Sequence, residues 1–195
     1  MAALLLKGGI PMVFTSRTER NAGFTVVELL MVVAMIGTLA AMAVPVMRDM
    51  SASIKLNEAS RMVEREMQDA RLKAVSTNRV IRVRMNCPAA GYLRSVEVLG
   101  TAADNASNRC VPSAYPFPAA DTDIMTRPNF DGPVRFLPNG ATVTGSVIQF
   151  GPDGTAVNVV NGTPTAITTP ITITITRQSK SKTVTVNNAG KVQLQ

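Results

Sequence analysis

Between Phe24 and Met47 one residue carries charge, Glu28. The run behind it, Leu29 to Met47, reads LLMVVAMIGTLAAMAVPVM. Its length matches the roughly 20 apolar residues that a helix needs to cross a bilayer. A carboxylate at the rim of such a span is costly unless it is solvated or paired, so Glu28 is a candidate functional group. Two readings are open for it: a solvated acid favouring the positive end of the helix, or an acid that meets a cation. Cys87 and Cys110 lie outside any Cys-x-x-Cys spacing, which suits one disulfide in an exported domain better than a redox pair. Arg177, Lys180, Lys182 and Lys191 gather positive charge towards the C-terminus, and Arg79, Arg82 and Arg84 form a second basic group. Such groups can contact the phosphates of DNA without reading its sequence. The C-terminal group has no interleaved aromatic residue on which bases would stack. The other reading is a solvated hairpin whose lysines keep a strand edge from pairing.

Several chemistries are excluded. Histidine is absent and there are two cysteines, so a zinc site lacks its ligands and a histidine-based triad cannot be built. Ser, Thr and Asp are plentiful, but no nucleophile has an identifiable base and no glycine loop cradles a phosphate. The expectation is a protein that is not an enzyme and takes no cofactor or metal. The formal net charge of +7 fits DNA or anionic surfaces and is specific for neither.

These residues need elements to hold them. Residues 1–23 differ from a conventional secretory signal, whose apolar stretch ends just before the cut. Here a weakly apolar start leads into the polar run Thr15 to Gly23, and only then does the apolar span begin. A cut therefore falls before the span, which stays with the mature chain as an anchor. Beyond it Leu56, Ala59, Val63, Met67, Ala70 and Ala74 recur at steps of three and four, one narrow apolar stripe on a helix. One helix of about 50 residues is expected, broken or loosened near Pro45 by the loss of a backbone donor. After Asn78 the period becomes two. Strands are expected at Ile81–Met85 and Tyr92–Leu99, then a long surface excursion from Gly100 to Gly132. Further strands are expected before the turns Pro138-Asn139-Gly140 and Pro152-Asp153-Gly154, and at 156–160, 171–176, 183–186 and 191–194. The fold class is α+β, a long N-terminal helix packed on antiparallel sheet.

The string Gly23-Phe24-Thr25-Val26-Val27-Glu28-Leu29-Leu30 resembles the class III signal of type IV prepilins: Gly, Phe, then Glu five positions into the mature chain, then the apolar helix. Pro45 falls where many pilins carry a helix-breaking proline. The resemblance implies that a prepilin peptidase cuts between Gly23 and Phe24 and that the new amine of Phe24 is methylated. It also implies that Glu28 pairs with this amine, about one helical turn away or on a neighbouring subunit, and that the pairing sets the register of an incoming subunit. The positive-inside count is ambiguous, with Lys7, Arg17 and Arg20 before the span and Arg48, Lys55, Arg61 and Arg65 after it. The resemblance and the cysteine pair place the C-terminal domain outside the inner membrane.

The C-terminal half narrows the likeness. Phe-x-Pro-x-Gly occurs at Phe136 and again, as Phe-Gly-Pro-Asp-Gly, at Phe150, followed by Lys182-Thr183-Val184-Thr185-Val186 and Gly190-Lys191-Val192. This is similar to the GspH/FimT group of minor pilins and type II secretion pseudopilins. It implies a leader at 1–23, an anchor and filament-core helix at 24–47, an amphipathic continuation at 48–78 and a β-rich domain at 79–195. The implied partners are other pilins or pseudopilins, the prepilin peptidase, an inner-membrane assembly platform and the lipid of that membrane. FimT-like relatives bind DNA through a Gly-Arg-x-Arg segment; the matching place here reads Gly190-Lys191-Val192-Gln193, which keeps one of the two basic residues.

Overall fold

The computed structural model describes residues 23–118, 128–138 and 140–195. Residues 1–22 of the expected leader, residues 119–127 of the excursion and Asn139 of one expected turn lie outside them. Helix α1, Val26–Thr77, runs 52 residues without interruption. Pro45 lies inside it, and the single long helix is the length expected from the sequence. A proline in mid-helix forfeits one donor and crowds the carbonyl four residues earlier, here that of Ala41, and a long apolar helix can carry that loss as a local defect. The chain divides into two compact units between Val44 and Pro45.

In the first unit the apolar helix is bare: its most hydrophobic 18-residue window has no buried residue. In the second unit the six residues of the stripe, Leu56 to Ala74, are all buried. Alanine at three of these six positions keeps the helix close to the sheets. Met67 and Val63 fill the space between, and truncating a fully buried Met67 to Ala costs about 2–5 kcal/mol.

Among the described residues ten strands follow: β1 Ile81–Met85, β2 Tyr92–Glu97, β3 Arg135–Phe136, β4 Ala141–Thr144, β5 Val147–Phe150, β6 Ala156–Val160, β7 Thr163–Ala166, β8 Ile171–Arg177, β9 Lys180–Val186 and β10 Val192–Leu194. They form two antiparallel sheets. Sheet A has the order β3-β2-β1-β5-β6-β7, and sheet B the order β10-β9-β8-β4. Ile81, Val83, Leu93, Ile148 and Phe150 of sheet A and Val143, Ile173, Ile175, Val184 and Val186 of sheet B join the helix stripe in one hydrophobic cluster. The alternation Ile171-Thr-Ile-Thr-Ile-Thr176 sends isoleucine inwards and threonine outwards, as the period of two requires.

The β-rich part thus holds two sheets, and β4 and β7 add to the expected strands. β7 contains Pro164, whose missing donor is tolerated because the strand lies at the edge of sheet A. The excursion contains a short 3-10 turn, Ala102–Asn105, and Cys110, which is joined to Cys87 with Cα atoms 5.5 Å apart.

Candidate functional site

The start of α1 is capped locally. Thr25 Oγ1 accepts the backbone N–H of Glu28 at 3.2 Å, and the Thr25 carbonyl accepts that of Leu29 at 3.1 Å. Glu28 therefore occupies the first turn, where its charge opposes the positive end of the helix dipole. Phe24 is 79% exposed, and Val26 to Met47 offer apolar side chains in every direction around the helix. Such an all-round apolar surface needs lipid or other helices around it.

The C-terminal basic residues lie elsewhere than on a free hairpin. Arg177, Lys180 and Lys182 occupy the end of the β8–β9 hairpin, where Arg177 and Lys180 stand directly opposite one another. Their positions alternate with the outward threonines, so all three extend from the side of sheet B that faces α1. Lys180 Nζ donates to the Asp49 carbonyl at 3.2 Å and to Ser53 Oγ at 2.7 Å, tying the hairpin to the helix. Arg177, Lys180 and Lys182 are half-buried and Lys191 is exposed.

Lys191 sits at the other end of sheet B, in the turn between β9 and β10. Gly190 of that turn is buried with φ +70°, and a Cβ there would lie 2.8 Å from Arg71 Nε, so glycine is required. Arg71 of the helix donates to the Gly154 carbonyl (3.0 Å) and the Ala189 carbonyl (3.1 Å), holding two turns against α1. Lys191 is therefore held apart from the other three basic residues, which share one hairpin.

The second basic group also separates. Arg79 lies 3.7 Å from Glu97 and stacks over Phe130 at 5.9 Å. Arg82 is 4% exposed and donates to Gln149 and Asn105. Arg84 is half-buried and donates to the Ala106 carbonyl at 3.0 Å. Burial, acting first, pushes the pKa of both Arg82 and Arg84 below the usual guanidinium value, and neighbouring arginines add to it. As a surface strip for DNA this group is corrected: Arg82 and Arg84 lie under the excursion because alternation turns them away from the helix, onto the face that segment covers.

Sequence reasoning missed the polar centre of the covered face. Arg109 pairs with Asp131 through both of its terminal nitrogens, both side chains being almost fully buried. Arg94 donates to the carbonyls of Gly132 (2.8 Å) and Tyr115 (2.7 Å) and lies 3.7 Å from Asp131. Asp131 Oδ1 also accepts the N–H of Glu97 at 2.8 Å. These partners are 21 to 38 residues apart, and no local spacing announces them. Between α1 and sheet A, Glu66 is buried beside Ser95 and 3.6 Å from Arg135, and burial raises its carboxyl above the ordinary carboxylate value.

The profile of the family described as Type II transport protein GspH matches residues 59–190, more than half of the chain. The chain belongs to the GspH family. The match takes in five of the six residues of the helix stripe and strands β1 to β9, ending at Gly190. None of the curated proteins matches the chain. Among solved structures, the type IV minor pilin FimU of Pseudomonas aeruginosa is 18% identical; the alignment covers 73% of this chain and 90% of that one, with a TM-score of 0.46. The minor pseudopilin EpsH from the type 2 secretion system of Vibrio cholerae is 14% identical over 72% of this chain and 96% of that one, with a TM-score of 0.44. GspH-family proteins are minor pilins and pseudopilins, structural subunits rather than known enzymes. The apolar N-terminal helix of this member fits a membrane-anchored pilin.

Proposed function

We infer that this GspH-family chain is a minor pilin or pseudopilin precursor, cleaved by a prepilin peptidase between Gly23 and Phe24. Its helix then holds the protein in the bacterial inner membrane with residues 79–195 in the periplasm, until it enters a type IV pilus or type II secretion pseudopilus. Neighbouring pilins, the peptidase and an inner-membrane assembly platform are its partners. The observation that carries this reading is the bare apolar helix with one acid, Glu28, in its first turn. A carboxylate in the first turn favours the positive end of the helix, and it also stands about one helical turn from a newly made Phe24 amine, so that it can pair with that amine on the next subunit. Methylation of Phe24 keeps this amine a cation.

Glu28→Ala, expressed in the native host, tests it. Intact mass of the membrane-extracted protein should show a chain starting at Phe24 in both wild type and variant, while the variant is depleted from sheared filaments or fails to restore the secretion or pilus phenotype of a deletion strain. A mature start beyond the apolar run refutes the processing; full complementation by Glu28→Ala refutes the register role. Binding of DNA through Arg177, Lys180, Lys182 and Lys191 is the weaker reading, because Lys180 is engaged by the helix and Lys191 stands at the opposite end of the sheet.

A further inference from the structure

On the outer face of sheet A a hollow of about 350 Å³ opens beside Arg82 and Arg84. The two arginines are two residues apart on β1, so they share one face, and like charges are held side by side. Their direct partners are neutral. Arg82 Nε and Nη2 both donate to Gln149 Oε1, at 3.2 and 3.0 Å, and Nη1 donates to Asn105 Oδ1 at 2.8 Å. Arg84 is bonded by one nitrogen to the Ala106 carbonyl.

The nearby acids are occupied. Asp104 attracts Arg82 from a distance, but its oxygens accept the backbone N–H groups of Leu99, Gly100 and Thr101. Asp131 serves Arg109 and Arg94. Among the described residues no carboxylate touches Arg82 or Arg84. Buried charge is ordinarily paired, so this pair of guanidinium groups calls for an anion.

The hollow also has a shape. Val147 and Val159 form an apolar wall, and the tight Asn161-Gly162 turn closes one side. A Cβ at Gly162 would lie 2.8 Å from Asn105 Nδ2, so the glycine lets the Asn105 amide stand at the rim.

We propose that this hollow binds a carboxylate carried on a short aliphatic stem, the acidic side chain of a partner protein. Arg84, bonded through one nitrogen, offers the remaining N–H groups of its guanidinium to a carboxylate, Arg82 adds a second positive charge beside it, and Asn105 adds an amide donor at the mouth. The valine wall favours methylene groups over the hydrated surface of a phosphate, and the volume exceeds that of a bare ion. The inference rests on sheet A and its cover alone, and holds whichever filament the chain joins.

The full chain, labelled with ¹⁵N-arginine and held in non-ionic detergent, should be titrated with a short blocked peptide carrying one glutamate between glycines. The same peptide with glutamine, inorganic phosphate and a short DNA duplex are the comparisons. The side-chain N–H resonances of Arg82 and Arg84 should shift saturably with the glutamate peptide and at least about tenfold more weakly with the glutamine peptide. Arg84→Gln should abolish the response while thermal unfolding is preserved; should that variant unfold, Val147→Phe fills the hollow from the neighbouring strand and should abolish it instead. An equal response to glutamine, or one that survives in a folded Arg84→Gln or Val147→Phe protein, overturns the proposal. Saturation by phosphate or duplex without a response to the glutamate peptide overturns it in favour of a phosphate-contacting face.

Discussion

On sheet A the outward side chains of β1 and β2 include Arg82, Arg84 and Arg94, and the segment around Asp104 to Tyr115 lies over them, bonded through backbone carbonyls and Asn105. On sheet B the outward side chains are Thr142, Thr144, Thr172, Thr174, Thr176, Ser181, Thr183, Thr185 and Gln193, all exposed or half-exposed. Inward, both sheets do the same thing, setting aliphatic side chains against one helix stripe. Their difference is therefore in the outer layer. Threonine tolerates water on one side and prefers strands, so sheet B needs nothing over it. Arginine under a cover needs acceptors that water no longer supplies, so sheet A depends on long-range bonds that form only when the excursion is in place.

The contrast can be broken most forcefully at Asp131. Asp131→Ala leaves Arg109 and Arg94 without their carboxylate and the Glu97 N–H without an acceptor, and should cost about 3–5 kcal/mol, a large share of a domain's total stability. Chemical denaturation of the detergent-held chain, followed by circular dichroism, would measure it; a loss below about 1 kcal/mol would mean that the network is not what holds the cover.

The covalent tie comes next. Cys110→Ser frees a loop closed over a sequence separation of 23 residues and should cost about 3 kcal/mol. Reductant should lower the stability of the wild-type protein by a similar amount and leave the variant unchanged. A variant as sensitive to reductant as wild type would contradict the assignment of the effect to this bond.

The smallest effect is expected on sheet B. Thr174→Val exchanges a hydroxyl for a methyl on the outward face, opposite Thr144 and Thr183, and should move stability by no more than about 0.5 kcal/mol in either direction. A loss comparable to that of Asp131→Ala would erase the distinction between the two outer faces.

Much of this molecule was legible in short stretches of sequence. The stripe Leu56 to Ala74 needs only the helical period, and each of its six residues is buried. The isoleucine and threonine of β8 need only the period of two, and the bare span behind Glu28 needs only composition. These are properties of residues a few positions apart, and local backbone geometry decides them. Tertiary structure alone decided the rest. Arg79, Arg82 and Arg84 look like one basic strip in sequence, yet Arg79 goes to Glu97 and Phe130 while Arg82 and Arg84 lie side by side under the cover. Lys180 reads as a hairpin lysine, and its partners lie 127 and 131 residues away on the helix. The composition of a segment says that a charge is present; what neutralises it depends on which distant backbone folds against it, and only the assembled sheets and helix determine that.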